Sequence, residues 1–276
     1  MDRVNRIDAL FASLRAANRK AFTAFITAGD PSLEVTLGAM RALVDGGADL
    51  LELGIPFSDP ESDGADIQAA SMRALSGASP TRLVDVLAIA REFRSTDQKT
   101  PLVLMGYLNA LLAMGVETFA RHARQSGVDG VVLVNLPIEE FDEIRPAFER
   151  EKLHAVFLVA PTTSSQRAAN IAEHASGFLY YVSLKGVTGA SHLDVEDLAM
   201  QTARLRTLTD LPIQIGFGIR SPEVAAEVSS YADGLIVGSA LVKRMAELER
   251  SPDKIPHALR QMASEFRSAI DRASTH

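Results

Sequence analysis

Eight short aliphatic runs alternate with amphipathic helical stretches along the whole chain, and this alternation constrains the fold more than any other feature. The runs are largely continuous in apolar character, which is typical of parallel strands covered by helices. They are AFTAFITAG, DLLELGIP, PLVLMGY, GVVLVN, HAVFLVA, FLYYVS, PIQIGFG and GLIVGSA. Eight such units predict an α/β protein that forms a closed (βα)8 TIM barrel, with an extra N-terminal helix before the first strand.

The alternative architecture is an open, doubly wound sheet. That fold would place a Gly-x-Gly-x-x-Gly motif after the first strand, but Thr27-Ala28-Gly29-Asp30-Pro31 stands there instead. No low-complexity linker or shift in composition marks a second domain, so we expect residues 1–276 to form a single barrel domain.

Charge and composition exclude several classes of function. A net charge of -7 argues against a nucleic-acid surface, and no run of about eighteen apolar residues could span a membrane. The first twenty residues read as a charged amphipathic helix without the apolar core of a signal peptide, so we expect a cytoplasmic protein. The absence of cysteine excludes disulfides, thiolate nucleophiles and cysteine metal sites.

Three junctions between a helix and the next strand have similar sequences. Each carries an aspartate together with at least one glycine and leads into an aliphatic run: Gly46-Gly47-Ala48-Asp49, Gly127-Val128-Asp129-Gly130 and Ala232-Asp233-Gly234. We interpret them as recurring turns of the fold and not as catalytic motifs.

Glu52 is the one acidic residue in the interior of the eight runs. An ionised carboxylate removed from water is costly, so such a residue needs either a partner or a raised pKa. One interpretation is a structural glutamate paired with Gln214 or a tyrosine. The other is a general acid and base at the barrel mouth, and the end of the strand at Pro56, a few residues later, favours it.

The loop that follows, residues 57–67, contains four acids, namely Asp59, Glu61, Asp63 and Asp66. The spacing of Asp59, Glu61, Asp63 and Gly64 loosely matches the first half of a calcium-binding loop, but Ala70 stands where that loop needs a bidentate glutamate. We therefore expect no metal. One of these acids facing Glu52 would give two carboxyl groups that can divide acid and base roles.

Glycines after the seventh and eighth runs predict an anion site. Gly218 and the pair Gly238-Ser239 expose backbone N–H groups next to a helix start, which suits a phosphate. The glycine-bearing segment at 185–190 has the composition of a mobile lid. Lys185 is a poor candidate for a Schiff-base lysine because no apolar strand setting depresses its pKa, and the histidines have no metal-ligand spacing.

With these motifs assembled, the chain resembles the α chain of tryptophan synthase. The matching segments run almost from end to end: FITAGDP at 25–31, GADLLELGIPFSDP at 47–60, SDG and IQ within 62–68, PLVLMGY at 101–107, GVDGV at 127–131, YYVSLKGVTGA at 180–190, GFGI at 216–219 and GSALV at 238–242. The resemblance implies a (βα)8 barrel that cleaves indole-3-glycerol phosphate to indole and glyceraldehyde 3-phosphate without a cofactor. It also implies a tryptophan synthase β chain as partner, in an αββα heterotetramer.

The resemblance also implies residue roles. Glu52 and Asp63 correspond to the catalytic carboxylates of the family. The residues that correspond to its substrate contacts are Phe25, Tyr107, Tyr180, Thr188, Gly189, Phe217, Gly218, Gly238 and Ser239. A free-standing lyase that releases indole, or a ligand-binding allosteric subunit with weak activity, remains an alternative.

Five positions depart from the usual family pattern. Ala24, Ala65 and Ala110 stand where the family usually has proline. Ser62 replaces the usual alanine before the Asp-Gly pair, and Asn135 replaces an aspartate. Most lie in loops that face the β chain in the family, so they bear on the partnership more than on the chemistry.

Overall fold

The computed structural model describes residues 4–76, 79–182, 195–216 and 218–273. Eight parallel strands close into a barrel in the order of the chain, with β1 paired to both β2 and β8. The strands are β1 Ala21–Thr27, β2 Leu50–Gly54, β3 Leu102–Gly106, β4 Gly130–Leu133, β5 His154–Val159, β6 Leu179–Val182, β7 Ile213–Gly216 and β8 Gly234–Val237. Each predicted run forms a strand, and the predicted (βα)8 barrel is confirmed.

Helices surround the barrel. Within the described residues they are α1 Arg6–Ala16, α2 Leu33–Asp45, α3 Ala65–Ser76, α4 Leu83–Thr96, α5 Leu108–Met114, α6 Val116–Gln125, α7 Arg145–Glu151, α8 Ser165–His174, α9 Val195–Arg206, α10 Pro222–Ser229, α11 Ser239–Glu247 and α12 Ile255–Ala273. Short 3₁₀ helices occupy Ile138–Glu143 and Pro252–Lys254. Of the helices in these ranges, none combines the length and the apolarity that a bilayer crossing requires.

Side chains of each strand alternate between two apolar clusters. In β1, Phe22, Ala24 and Ile26 pack with the surrounding helices, whereas Phe25 belongs to a second cluster that includes residues of most strands. In β2, Leu50 belongs to the second cluster. Because alternate residues of a strand share a face, Glu52 points in the same direction as Leu50, into the barrel.

The predicted N-terminal helix is present, and it covers the N-terminal end of the barrel. The side chain of Asn5 caps α1 by accepting from the backbone N–H of Ile7 at 2.9 Å. Ile7, Phe11 and Leu14 are buried in the inner cluster, and the Phe11 ring lies 6.0 Å from that of Phe178. Apolar side chains of α1 therefore cover the N-terminal end of the barrel interior.

The three repeated aspartates hold neighbouring strands together at the N-terminal end. One carboxylate oxygen of each accepts from a backbone N–H of the preceding strand at 2.9 Å: Asp49 from Phe22, Asp129 from Leu102 and Asp233 from Ile213. This agrees with the structural interpretation of these motifs. Their ion pairs involve Arg267, Arg6, Arg94 and Arg206.

Candidate active site

Strand β2 places Glu52 inside the barrel near its C-terminal end. In the sheet register Glu52 pairs with Phe25 on β1 and with Val103 on β3. All five residues of β2 are buried, and Glu52 is only 1% exposed. Strand β2, which is otherwise apolar on both faces, therefore places the Glu52 carboxyl group in the buried interior of the barrel.

Glu52 has no structural partner that would explain its burial. Neither carboxyl oxygen has a hydrogen-bond partner within the described part of the chain. Gln214 does not pair with it, because its Oε1 accepts from the Thr23 hydroxyl at 2.6 Å and its Nε2 has no hydrogen-bond partner among the described residues. The alternative that Gln214 satisfies Glu52 is therefore wrong.

Burial determines the protonation of Glu52. Desolvation, with a smaller contribution from the negative charge of Asp63, raises the pKa of Glu52 to about 8. Burial also raises the pKa of Tyr180, and the charges of Glu52 and Asp63 raise it further. The interior thus contains a carboxyl group that is protonated at neutral pH beside a neutral phenol.

The loop after β2 presents Asp63 to the same region. The Tyr107 hydroxyl accepts from the backbone N–H of Ser62 at 3.0 Å and donates to Asp63 Oδ2 at 3.3 Å. Phe57 stacks on the Tyr107 ring with centroids 4.7 Å apart. Burial raises the pKa of Asp63 to about 6, and the hydrogen bond from Tyr107 opposes that shift.

The other acids of the loop differ from Asp63 in their surroundings. Asp59, Glu61 and Asp66 are exposed. Among the described residues, no group of three or more histidine, aspartate or glutamate side chains has an arrangement that could hold a metal ion. Asp63 and Asp66 both line the cavity at this end of the barrel, and of the four loop acids Asp63 alone is partly buried.

A cavity of about 450 Å³ opens at the C-terminal end of the barrel. Six of the residues predicted from the sequence line it, namely Phe25, Asp63, Tyr180, Gly218, Gly238 and Ser239. Glu52 is not in its wall, since its side chain is covered by the residues around it. Tyr107 is also outside the wall, where it contacts Asp63.

One end of the cavity is suited to an anion. Gly218 has a φ of +79°, a left-handed conformation that favours glycine. Ser239 begins α11, whose first N–H groups have no acceptor within the helix. Arg220 and Lys243 also line this end, so positive side chains supplement the helix terminus.

The other end is apolar and suited to an aromatic ring. Its wall contains inward-facing residues from several strand ends, which sequence reasoning did not single out: Met105, Val134, Leu158 and Ile236. Their two-residue alternation with residues buried under the helices is the signal that could have identified them. Arg220 and Lys243 were also missed, although each lies within five residues of a predicted phosphate glycine.

Gly216 makes room for Tyr180. A Cβ atom at this position would lie 2.3 Å from Tyr180 Cε1 and 2.5 Å from its hydroxyl oxygen. The first glycine of the GFGI motif is therefore required by a close approach inside the barrel, in addition to any role in an anion site.

Four residues of interest from the sequence lie outside the described residues. They are Thr188, Gly189, Phe217 and Lys185.

Comparison with known proteins gives consistent results over nearly the whole chain. A sequence model of the family described as "Tryptophan synthase alpha chain" matches residues 11–271. Proteins of that name from Marinobacter nauticus and Laribacter hongkongensis are 48% and 50% identical over 97% of this chain and cover 98% and 100% of their own lengths. The crystal structure of tryptophan synthase subunit alpha from Legionella pneumophila superposes with a TM-score of 0.90 at 42% identity, covering 98% of this chain and 100% of that chain. A chain of tryptophan synthase from M. tuberculosis in an aminoacrylate-bound form gives a TM-score of 0.84 at 33% identity, covering 97% of this chain and 100% of that chain.

Proposed function

The chain belongs to the tryptophan synthase alpha chain family, and we propose that Glu52 carries out the proton transfers of the family's reaction while Asp63 stabilises the charge that develops on the indole ring. The protein is a carbon–carbon lyase that cleaves indole-3-glycerol phosphate to indole and glyceraldehyde 3-phosphate. The observation that carries the assignment of residues is Glu52, which is fully buried, without a partner among the described residues, and protonated at neutral pH.

Glu52 acts first as acid and then as base. Its carboxyl proton goes to indole C3, which leaves a positive charge on the ring nitrogen. The resulting carboxylate then accepts the proton of the glycerol 3′-hydroxyl. The electron pair of that O–H bond forms the aldehyde, the C3–C3′ bond breaks, and its electrons restore the aromatic ring. Glu52 ends the cycle protonated, and a group with a pKa near the working pH is suited to both steps.

Asp63 stabilises the charge that develops on the ring. With a pKa of about 6 it is ionised near neutral pH, while Glu52 is not. Two carboxyl groups in different environments can thus divide the roles of anion and acid. We assign Tyr107 the task of holding Asp63 and the neighbouring Ser62 backbone, because its hydroxyl contacts both.

The cavity accommodates the two ends of the substrate separately. The phosphate is proposed to bind at Gly218, Gly238 and Ser239, because these residues line the cavity together with the basic side chains of Arg220 and Lys243 and the last two lie at the start of α11. The indole ring is proposed to lie against Phe25 and Tyr180, above Glu52. Thr188, Gly189 and Phe217 remain predicted substrate contacts.

The family implies a β chain partner, and we propose the αββα heterotetramer as the working assembly. Residues 1–276 would enter it as a single barrel domain, in the cytoplasm that the sequence predicts. Cell fractionation tests the compartment.

Assay of indole release from indole-3-glycerol phosphate tests the function, with purified protein alone and with increasing β chain. We expect release in both arms and a higher rate with partner. No indole in either arm would contradict the proposed roles of Glu52 and Asp63. A rate alone that the β chain does not change would contradict the partnership and favour a free-standing lyase.

A further inference from the structure

The position of Asp63 depends on a segment that lies outside the sheet. Residues 55–64 leave β2 at the C-terminal end of the barrel and lead into α3. Asp63 lies two residues before α3 and shares no strand ladder with the barrel. The anchors of α3 therefore determine where this carboxylate stands.

An ion pair holds α3 against the loop after β1. Arg73 on α3 donates from Nε and Nη2 to the two carboxylate oxygens of Asp30, at 2.7 and 2.8 Å. The side chains are 20% and 2% exposed, so the pair is largely removed from water. A bidentate guanidinium–carboxylate pair fixes orientation as well as distance. Glu249 lies near both charges.

Tight packing supports the ion pair on the same side of α3. Gly29, next to Asp30, has a φ of +82°, and a Cβ atom there would lie 1.9 Å from Thr81 Oγ1. Thr81 is buried, and its backbone N–H donates to the carbonyl of Ala74 in α3 at 3.0 Å. The loop after β1 thus touches both α3 and the chain that leaves it.

The first turns of α3 transmit this anchoring to the Asp63 loop. The Gln68 side-chain amide donates to the backbone carbonyls of Asp63 at 2.8 Å and of Pro60 at 3.3 Å. Ile67 and Ala70, on the same helix, are buried in the inner cluster. Between described residues, Arg73–Asp30 is the one ion pair that joins segment 57–76 or 79–81 to the barrel.

We propose that Asp30 and Arg73 are positioning residues for the reaction, whose ion pair fixes α3 on the loop after β1 and so holds the Asp63 carboxylate at the cavity rim. This inference rests on the proposed role of Asp63. A desolvated ion pair often adds little net stability, and the feature on which the proposal rests is its bidentate geometry, which fixes α3 in one orientation.

The pH dependence of turnover separates positioning from general stabilisation. Burial is the main cause of the raised pKa of Asp63, with Tyr107 donating to it and the buried Glu52 and Tyr180 nearby. If α3 loosens, Asp63 becomes more hydrated and its pKa falls toward the ordinary value. The acid limb of the rate profile then moves to lower pH while the plateau falls.

The experiment compares kcat and kcat/KM between about pH 5 and pH 9 for wild type, Arg73→Gln, Asp30→Asn and the double variant, which leaves no unpaired buried charge. The acid limb is taken from kcat/KM, which reports the pKa values of the free enzyme. We expect each to lose roughly ten- to a hundredfold in plateau kcat, as misplacement of a reacting group does. The acid limb should shift downward in each variant. The double variant should lose no more than the single ones, because one interaction is removed in all three.

Arg267→Gln is the matched control. Arg267 is 10% exposed in its pair with Asp49, 2.7 Å apart, at the closed N-terminal end. We expect it to lower stability and to leave the profile unchanged. Equal changes of profile in Arg267→Gln and Arg73→Gln would overturn the inference.

Asp63→Asn distinguishes this inference from the proposed function. If Asp63→Asn stops turnover while the double variant keeps wild-type kcat and acid limb, the positioning role is overturned and the role of Asp63 stands. If Asp63→Asn keeps wild-type turnover, the assignment of Asp63 falls and the positioning inference falls with it.

Discussion

Glu52 and Asp63 are two carboxyl groups of similar intrinsic acidity whose surroundings separate their pKa values. Full burial without a partner raises that of Glu52 to about 8, whereas Asp63, partly buried and bonded to Tyr107, has a pKa of about 6. At a pH between these two pKa values, Glu52 is protonated and can donate a proton, whereas Asp63 is ionised. On the proposed roles, burial inside the barrel is therefore what suits the two groups to acid–base chemistry near neutral pH.

The first prediction at this scale concerns the pH dependence of kcat/KM. The rate should rise with pH as Asp63 ionises near about 6 and fall as Glu52 loses its proton near about 8. Steady-state indole release measured across this range tests the prediction. A rate that continues to rise well above the pKa of Glu52 would contradict its role as the acid.

The second prediction concerns stability. Folding raises the pKa of Glu52, so its contribution to stability is fully present below the unfolded value of 4.5 and is lost as pH rises through about 8. The glutamine in Glu52→Gln does not ionise, so the unfolding free energy of this variant should not fall in this way. The difference in unfolding free energy, variant minus wild type, should be near zero at pH 4.5 and largest above pH 8. Urea unfolding at several pH values measures the difference. The exposed Glu61→Gln serves as the control and should show no such trend, and a constant difference for Glu52→Gln would contradict the account.

At the scale of elements, the loop after β4 supports the start of α5. Asn135 Oδ1 accepts from the backbone N–H of Leu108 at 2.8 Å, directly after Tyr107. Asn135 is one of the departures from the family pattern, and in the isolated chain its side chain acts as a cap for α5. Tyr107 in turn contacts Asp63, so this cap is connected to the active site.

Asn135→Ala removes the acceptor for the Leu108 N–H. We expect a loss of about 1 kcal/mol in unfolding free energy, as is usual for a lost cap, together with a lower kcat. Asn135→Asp is the matched control because it keeps an acceptor oxygen, and it should retain both properties. Chemical unfolding and indole release measure them. Equal losses in the two variants would show that the cap is not the relevant feature.

Sequence patterns predicted the elements more completely than their connections. Continuous apolar runs were sufficient for the strands, since parallel strands covered by helices have few other solutions. Glu52 was also recognisable, because a lone carboxyl group within an apolar run is costly. Nothing in the sequence indicated the Asp30–Arg73 ion pair or the Asn135 cap, because each joins residues that are distant in the chain and ordinary in their local sequence. Asp63 was selected among four loop acids through the family resemblance alone.

At the scale of the whole molecule, the two ends of the barrel have different tasks. At the N-terminal end, α1 fills the floor and the repeated aspartates are paired with backbone N–H groups and arginines. At the C-terminal end, Glu52 has no partner in the described part of the chain, and the cavity there combines an apolar wall with a wall that carries glycines and two basic side chains. Stability and chemistry are thus separated along the barrel axis, as is usual in this fold.

The central claim is that Glu52 transfers the protons, and indole formation by Glu52→Gln tests it most directly. The rate is measured with saturating indole-3-glycerol phosphate in the presence of the β chain, and calorimetric binding of glycerol phosphate shows that the site is intact. We predict a loss of at least about 10²- to 10⁴-fold in turnover with ligand affinity nearly unchanged. Wild-type turnover in this variant would contradict the assignment.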